Sequence, residues 1–256
     1  MADGRLFALP VGGGEGSPMV ALDAATGRLL WRAYVTRTHG ATGVAAISGA
    51  LAYVVSGDGV LLAKDVDNGV NRWKAFLDDG GGLGLPVGSA SVRGGRVFVT
   101  TERGSVLAYA AAGCPPALVC RPLWVWQGGA SSPYESTPAV GRTTSFVGAP
   151  NRLHALDAST GRRRWSGVVE GFGEDFAVTT PVIANGVLYV TTVGNRVYAF
   201  ASAGCGASTC RPLWNGVINP EVGNSTATDP PSVSHGALYV TAWVAGVTRF
   251  AVPGFP

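Results

Sequence analysis

Four cysteines are the residues of this 256-residue chain best equipped for chemistry, and they come as two short pairs. Cys114 and Cys120 enclose Pro-Pro-Ala-Leu-Val, and Cys205 and Cys210 enclose Gly-Ala-Ser-Thr. Each pair is preceded by Ala-Gly and followed by Arg-Pro-Leu-Trp. Thiols spaced so closely across a turn can reach the short Cα separation that a disulfide requires. A shared metal site is the sharper alternative, but the pairs belong to different repeats and have no histidine beside them. Two local disulfides are therefore expected, and with them an oxidising, extracytoplasmic compartment.

Other reactive groupings are weaker. His39, His154 and His235 fall in three different repeats at unrelated positions and do not read as a cluster. The run Gly12-Gly13-Gly14-Glu15-Gly16 lies between two strand-like segments without a following helix, which argues against a phosphate loop. No nucleophile elbow, paired-histidine metal motif or dinucleotide fingerprint is present. Charged residues make up 14% of the chain and the net charge is +3, with no basic tail or RNA-binding signature, so no nucleic-acid partner is expected. The uncharged stretch from Thr38 to Gly57 contains several glycines and aligns with a hairpin elsewhere, so no transmembrane segment is expected in this chain.

The elements that would carry these residues show up as a repeat. Ala21 to Trp31 reads Ala-Leu-Asp-Ala-Ala-Thr-Gly-Arg-Leu-Leu-Trp, and Ala155 to Trp165 reads Ala-Leu-Asp-Ala-Ser-Thr-Gly-Arg-Arg-Arg-Trp. A weaker copy spans Ala63 to Trp73, and two more, ending at Trp124 and Trp214, exchange the Asp-x-x-Thr-Gly turn for the cysteine pairs. Successive tryptophans are 42, 51, 41 and 49 residues apart, the longer gaps being those with the cysteine insertions. Such a period indicates a repeat architecture. Between tryptophans the pattern alternates with period two, broken by Gly, Asn and Asp turns. In the clearest repeat, strands are expected at 179–184, 187–192, 196–201 and 211–218, with Asn185-Gly186 as a tight hairpin turn.

Four antiparallel strands per repeat, here called A to D from the centre outwards, define a propeller blade. The chain holds six B and six C strands but five A and five D strands. The expected fold is all-β: a propeller of about six four-stranded blades, first and last incomplete, forming one domain over residues 1–256. Its seam would lie between residues 1–9 and 247–256. Within the repeats, Asp23, Asp65 and Asp157 are expected to accept turn amide hydrogen bonds, and Gly27, Gly69 and Gly161 to supply positive φ. Trp31, Trp73, Trp124, Trp165 and Trp214 are expected to lay their rings against the next blade.

The motif Ala-x-Asp-x-x-Thr-Gly-x-x-x-Trp resembles the tryptophan-docking motif of the pyrroloquinoline-quinone-type, BamB-like β-propeller repeat family. That family includes quinoprotein dehydrogenases and non-enzymatic envelope proteins. The dehydrogenases characteristically carry an adjacent Cys-Cys pair beside the cofactor, which is missing here, so the resemblance implies a non-catalytic binding or scaffolding module with no cofactor. A partial or inactive quinoprotein dehydrogenase and a receptor's sensor ectodomain are the alternatives. Met1-Ala2-Asp3-Gly4 aligns within a repeat, so the chain reads as a piece of a longer exported protein; a cytosolic propeller with free thiols is the competing reading. Partners would be a protein or another cell-envelope component.

Charges sort by loop. Asp78, Asp79, Glu135, Glu170, Glu174, Asp175, Glu221 and Asp229 fall in D-to-A connections. Arg28, Arg72, Arg93, Arg96, Arg121, Arg142, Arg162, Arg163, Arg164 and Arg211 fall at the opposite strand ends. The expected binding patch, for a basic partner or a cation such as calcium, is Glu135, Glu170, Phe172, Glu174, Asp175, Phe176 and Trp243.

Overall fold

The computed structural model describes residues 4–9, 18–35, 41–80, 82, 84–128, 136–169, 178–193, 195–218, 229–242 and 246–252. These residues contain strands and turns and no helix, so no helix is long and apolar enough to cross a membrane. The chain forms two compact units, Met1–Gly129 and Ala130–Pro256, each holding three sheets.

In the first unit, β1 (Arg5–Ala8), β2 (Pro18–Asp23) and β3 (Leu29–Tyr34) form an antiparallel sheet with no A strand among the described residues. The second blade is β4 (Ala46–Ser48), β5 (Leu51–Ser56), β6 (Val60–Asp65) and β7 (Asn71–Phe76). The third is β8 (Pro86–Arg93), β9 (Arg96–Thr101), β10 (Ser105–Ala110) and, after a short β11 (Val119–Cys120), β12 (Trp124–Gln127). In the second unit the fourth blade is β13 (Ala139–Val140), β14 (Thr144–Ala149), β15 (Arg152–Asp157) and β16 (Arg163–Val168). The fifth is β17 (Val182–Ala184), β18 (Val187–Thr192), β19 (Arg196–Ala201) and, after β20 (Thr209–Cys210), β21 (Trp214–Val217). The sixth, β22 (Ser232–Ser234), β23 (Ala237–Ala242) and β24 (Gly246–Ala251), has no D strand among the described residues. The all-β propeller class is thus as the repeat count implies.

Two strands are shorter than their sequence patterns. The fifth blade's A strand covers 182–184 rather than 179–184, and its D strand 214–217 rather than 211–218. Pro181 and Pro212 lie just ahead of the shortened strands and have no amide to give a ladder, while the D strand also stops one residue early, at Val217. Asn185 and Gly186 both take positive φ, 46° and 79°, as a tight primed turn demands.

Nearly every residue of the B and C strands in the second, third and fifth blades is buried, because both faces of these strands are covered. In the first unit Met19, Ala52, Val54 and Leu62 pack between the first two blades. Tyr53, Leu61, Val97, Leu107 and Tyr109 pack between the next two. In the second unit Leu153, Leu188 and Phe200 lie between blades four and five, and Tyr189, Leu238 and Val240 between five and six. Burial of Leu- or Tyr-sized side chains at about 1.5–3 kcal/mol each is what holds such stacked sheets together.

Candidate functional site

The repeated motif is a docking device built from a turn and a ring. Asp23 Oδ1 accepts the amides of Ala25 (3.1 Å) and Thr26 (2.8 Å) and the Thr26 hydroxyl (2.8 Å). Asp157 Oδ1 does the same for Ser159 and Thr160, while Arg164 donates to its Oδ2 at 2.6 Å. Asp65 accepts the Asp67 amide at 2.9 Å and two bonds from Arg72, at 3.1 and 2.6 Å. These bonds lower all three carboxyls: Asp23 chiefly through the Thr26 hydroxyl, Asp65 through Arg72, and Asp157 through the Ser159 hydroxyl and then Arg164. Gly27, Gly69 and Gly161 take positive φ of 71°, 73° and 73° to close the turns.

The ring of one blade rests on the turn of the next. Trp31 Nε1 donates to the Val66 carbonyl at 2.9 Å, and a Cβ on Gly69 would lie 2.8 Å from its ring. Trp73 Nε1 donates to the Ala111 carbonyl at 3.1 Å, and a Cβ on Gly113 would lie 2.5 Å away. A Cβ on Gly204 would likewise lie 2.7 Å from the Trp165 ring. Gly113 and Gly204 belong to the Ala-Gly that precedes each cysteine pair, so the cysteine repeats keep the glycine floor after losing the Thr-Gly turn. Trp124 packs on Phe98, and Trp214 on Tyr189 and Phe250, with ring centroids 5.9 to 6.4 Å apart.

The cysteines form two disulfides, Cys114–Cys120 and Cys205–Cys210, and no free thiol remains. Their hairpins do something the sequence did not announce. Strand β11 adds in parallel to the outer edge of β7, pairing Val119 with Lys74 and Cys120 with Ala75. The Lys74 amide donates to the Leu118 carbonyl at 2.9 Å. In the second unit β20 adds to β16 in the same way, and the Ser166 amide donates to the Ser208 carbonyl at 2.9 Å. Each insertion is a fifth strand on the preceding blade. The signal available beforehand was the paired length of the two insertions, which exceeds what closing a hairpin needs.

Several ionisable groups are held inside. Lys64 is 2% exposed, its ammonium donating to Asn71 Oδ1 at 2.8 Å, and desolvation pushes it down to about 8. His154 is buried in the fourth blade; desolvation, then Arg163 and Arg152, push it down to about 4, so it is neutral at neutral pH. Asp79 was grouped above with the acidic surface loops, but it is buried, accepting from Thr101 at 3.0 Å and Arg103 at 3.0 Å. Both donors come from the following blade, which is why loop position alone did not reveal its burial.

All seven residues of the expected acidic patch, Glu135, Glu170, Phe172, Glu174, Asp175, Phe176 and Trp243, lie outside the described residues. The other D-to-A acids divide: Asp78 is exposed, and Asp229 accepts the Thr241 hydroxyl at 3.0 Å. Among the described residues no three His, Cys, Asp or Glu side chains converge as a metal site. The arginines at the opposite strand ends are all described. Arg72 and Arg164 serve their own turns, whereas Arg28, Arg93, Arg121, Arg142, Arg162 and Arg211 are exposed and make no ion pair among the described residues.

Solved structures share this architecture. BamB from Moraxella catarrhalis is similar over 95% of this chain and 72% of its own, at 18% identity and a TM-score of 0.72. The C-terminal WD40 domain of Sif2 matches over 99% and 68%, at 10% identity and a TM-score of 0.73. A quinohemoprotein alcohol dehydrogenase from Comamonas testosteroni matches over 83% of this chain but 43% of its own, at 14% identity and a TM-score of 0.61. Identities this low speak to fold alone. No curated protein matches the sequence. The family model for outer membrane protein assembly factor BamB matches residues 1–113 and 124–240, across the docking turns, their tryptophans and both cysteine insertions' flanks, and the chain belongs to that family of PQQ-type repeat propellers.

Proposed function

We propose that this chain is a non-catalytic binding module of the cell envelope, working outside the cytoplasm and without a bound quinone. The observation that carries the reading is the pair of disulfide-closed hairpins in a chain of the BamB family, whose name describes outer-membrane assembly. Disulfides persist in oxidising compartments, and here they fasten strands to blade edges rather than adjoin a reactive cleft. The Asp, Gly and Trp residues of the repeat are likewise committed to turns and blade docking. The D-to-A connections carrying Glu135, Glu170, Glu174 and Asp175, together with Trp243 in a B-to-C connection, serve as the partner-binding face, a combination of aromatic and acidic residues of the kind recognition surfaces use.

Cross-linking of the exported protein in intact cells, followed by mass spectrometry, tests the reading. The expected outcome is capture of an envelope protein, lost when Glu174, Asp175 and Trp243 are replaced together. The PQQ-type repeat family to which the chain belongs gives a second reading, a partial dehydrogenase. Dye reduction by the purified chain supplied with alcohol, the quinone and calcium would overturn the binding reading in favour of that one.

A further inference from the structure

The first unit carries exposed arginines and protruding aliphatic side chains at one set of its turns. These are the A-to-B and C-to-D turns of three successive blades. The first supplies Arg28 and Leu29, which is 50% exposed; the second Val70, 57% exposed, with Arg72. The third supplies Arg93, Arg121, Leu118 at 70% exposure and Leu123 at 54%. The acids at this end are already engaged. Asp23 holds its own turn, Asp65 holds Arg72, and Asp67 is bonded to Arg5 at 2.7 Å. Between the second and third turns lies a hollow of about 420 Å³, walled by Leu51, Trp73, Pro115, Pro116 and Leu118, with the Arg72–Asp65 ion pair at its side.

From this arrangement we propose that the turn face of the first unit docks on an anionic phospholipid surface. The proposal rests on the envelope reading above and names the component that this face meets. Guanidinium groups complement phosphodiester headgroups, and accompanying aliphatic side chains enter the acyl boundary, as on amphipathic interfacial segments. A polyanion such as nucleic acid would use the arginines but leave Leu29, Val70, Leu118 and Leu123 in water. The large exposed apolar groups here are Leu and Val, whereas base stacking and protein hot spots favour aromatic rings.

Sedimentation of the full chain with vesicles tests the proposal. It should partition onto an equal mixture of phosphatidylglycerol and phosphatidylcholine, bind phosphatidylcholine alone far more weakly, and be released by added salt. Each arginine at an anionic surface is worth about five-fold in partition, so R28Q/R93Q/R121Q should weaken binding about a hundred-fold. L118S/L123S should weaken it about ten-fold while leaving heparin binding unchanged. Among the described residues none of these side chains makes an ion pair, and an unchanged melting temperature confirms that the variants fold. Equal sedimentation with both vesicle types, binding to neither, or wild-type binding by the arginine variant would overturn the proposal. Wild-type vesicle binding by L118S/L123S together with parallel loss of vesicles and heparin in the arginine variant would assign the face to polyanions instead. Loss of cross-linked partner with vesicle binding intact would count against the envelope-partner reading alone.

Discussion

At Lys64 the fold works against one of its own residues. The matching positions of the two full motifs hold Leu22 and Leu156, whereas Lys64 buries an ammonium whose bonds go to a neutral amide oxygen and a backbone carbonyl. Its folded pKa of about 8 lies below the free value of 10.5, so this group's contribution to stability is greatest above pH 10.5 and diminishes as pH falls toward 8. Lys64→Leu should therefore stabilise the protein at neutral pH by about 1–3 kcal/mol, read as a higher denaturation midpoint. His154 has the same sign in a lower window. Its proton binds the unfolded chain near 6.5 and the folded chain near 4, so stability is full above pH 6.5 and is lost as pH drops toward 4. Thermal melts between those limits should show that decline, and His154→Leu should flatten it.

The cysteine hairpins act as elements more than as bonds. Each closes a loop of only a few residues, so removing Cys205–Cys210 should cost about 2 kcal/mol by loop entropy. Its distinctive effect should appear elsewhere in the chain. The Ser166 amide bonds to the Ser208 carbonyl, so Cys205→Ser with Cys210→Ser should speed hydrogen exchange at Ser166, forty residues from the substituted turn, while amides of β18 keep their protection. Unchanged exchange at Ser166 would mean that β20 holds its place without the disulfide.

What was legible in the chain follows from range. Alternating side chains, Asn-Gly turns and Asp-led hairpins are local, and β18 and β19 fall where alternation puts them. The proximity of each cysteine pair is equally local. The parallel fifth strands, the glycine floors under Trp73 and Trp165, and the burial of Asp79 are not, because each depends on a partner one blade away. Two prolines removed ladder donors that a hydrophobic pattern cannot register.

For the molecule as a whole, the disulfides fall in different compact units, Cys114–Cys120 in the first and Cys205–Cys210 in the second, and brace different strands. Independent sites add, so the stability lost in the fourfold cysteine variant should equal the sum of the two paired losses within about 0.5 kcal/mol. A larger departure, measured by denaturant titration of all three variants, would show that the units report on each other.

Strands β11 and β20 also give the chain a mechanical hierarchy. Neighbouring blades ordinarily meet through side chains, as blades one and two do through Met19, Val54 and the Trp31 indole. Blades two and three, and again four and five, share main-chain hydrogen bonds anchored by a covalent loop. Under a pulling force, blades one and six should peel away first, leaving two-blade blocks that part only at higher load. Reducing the disulfides would erase that second step from the force–extension trace.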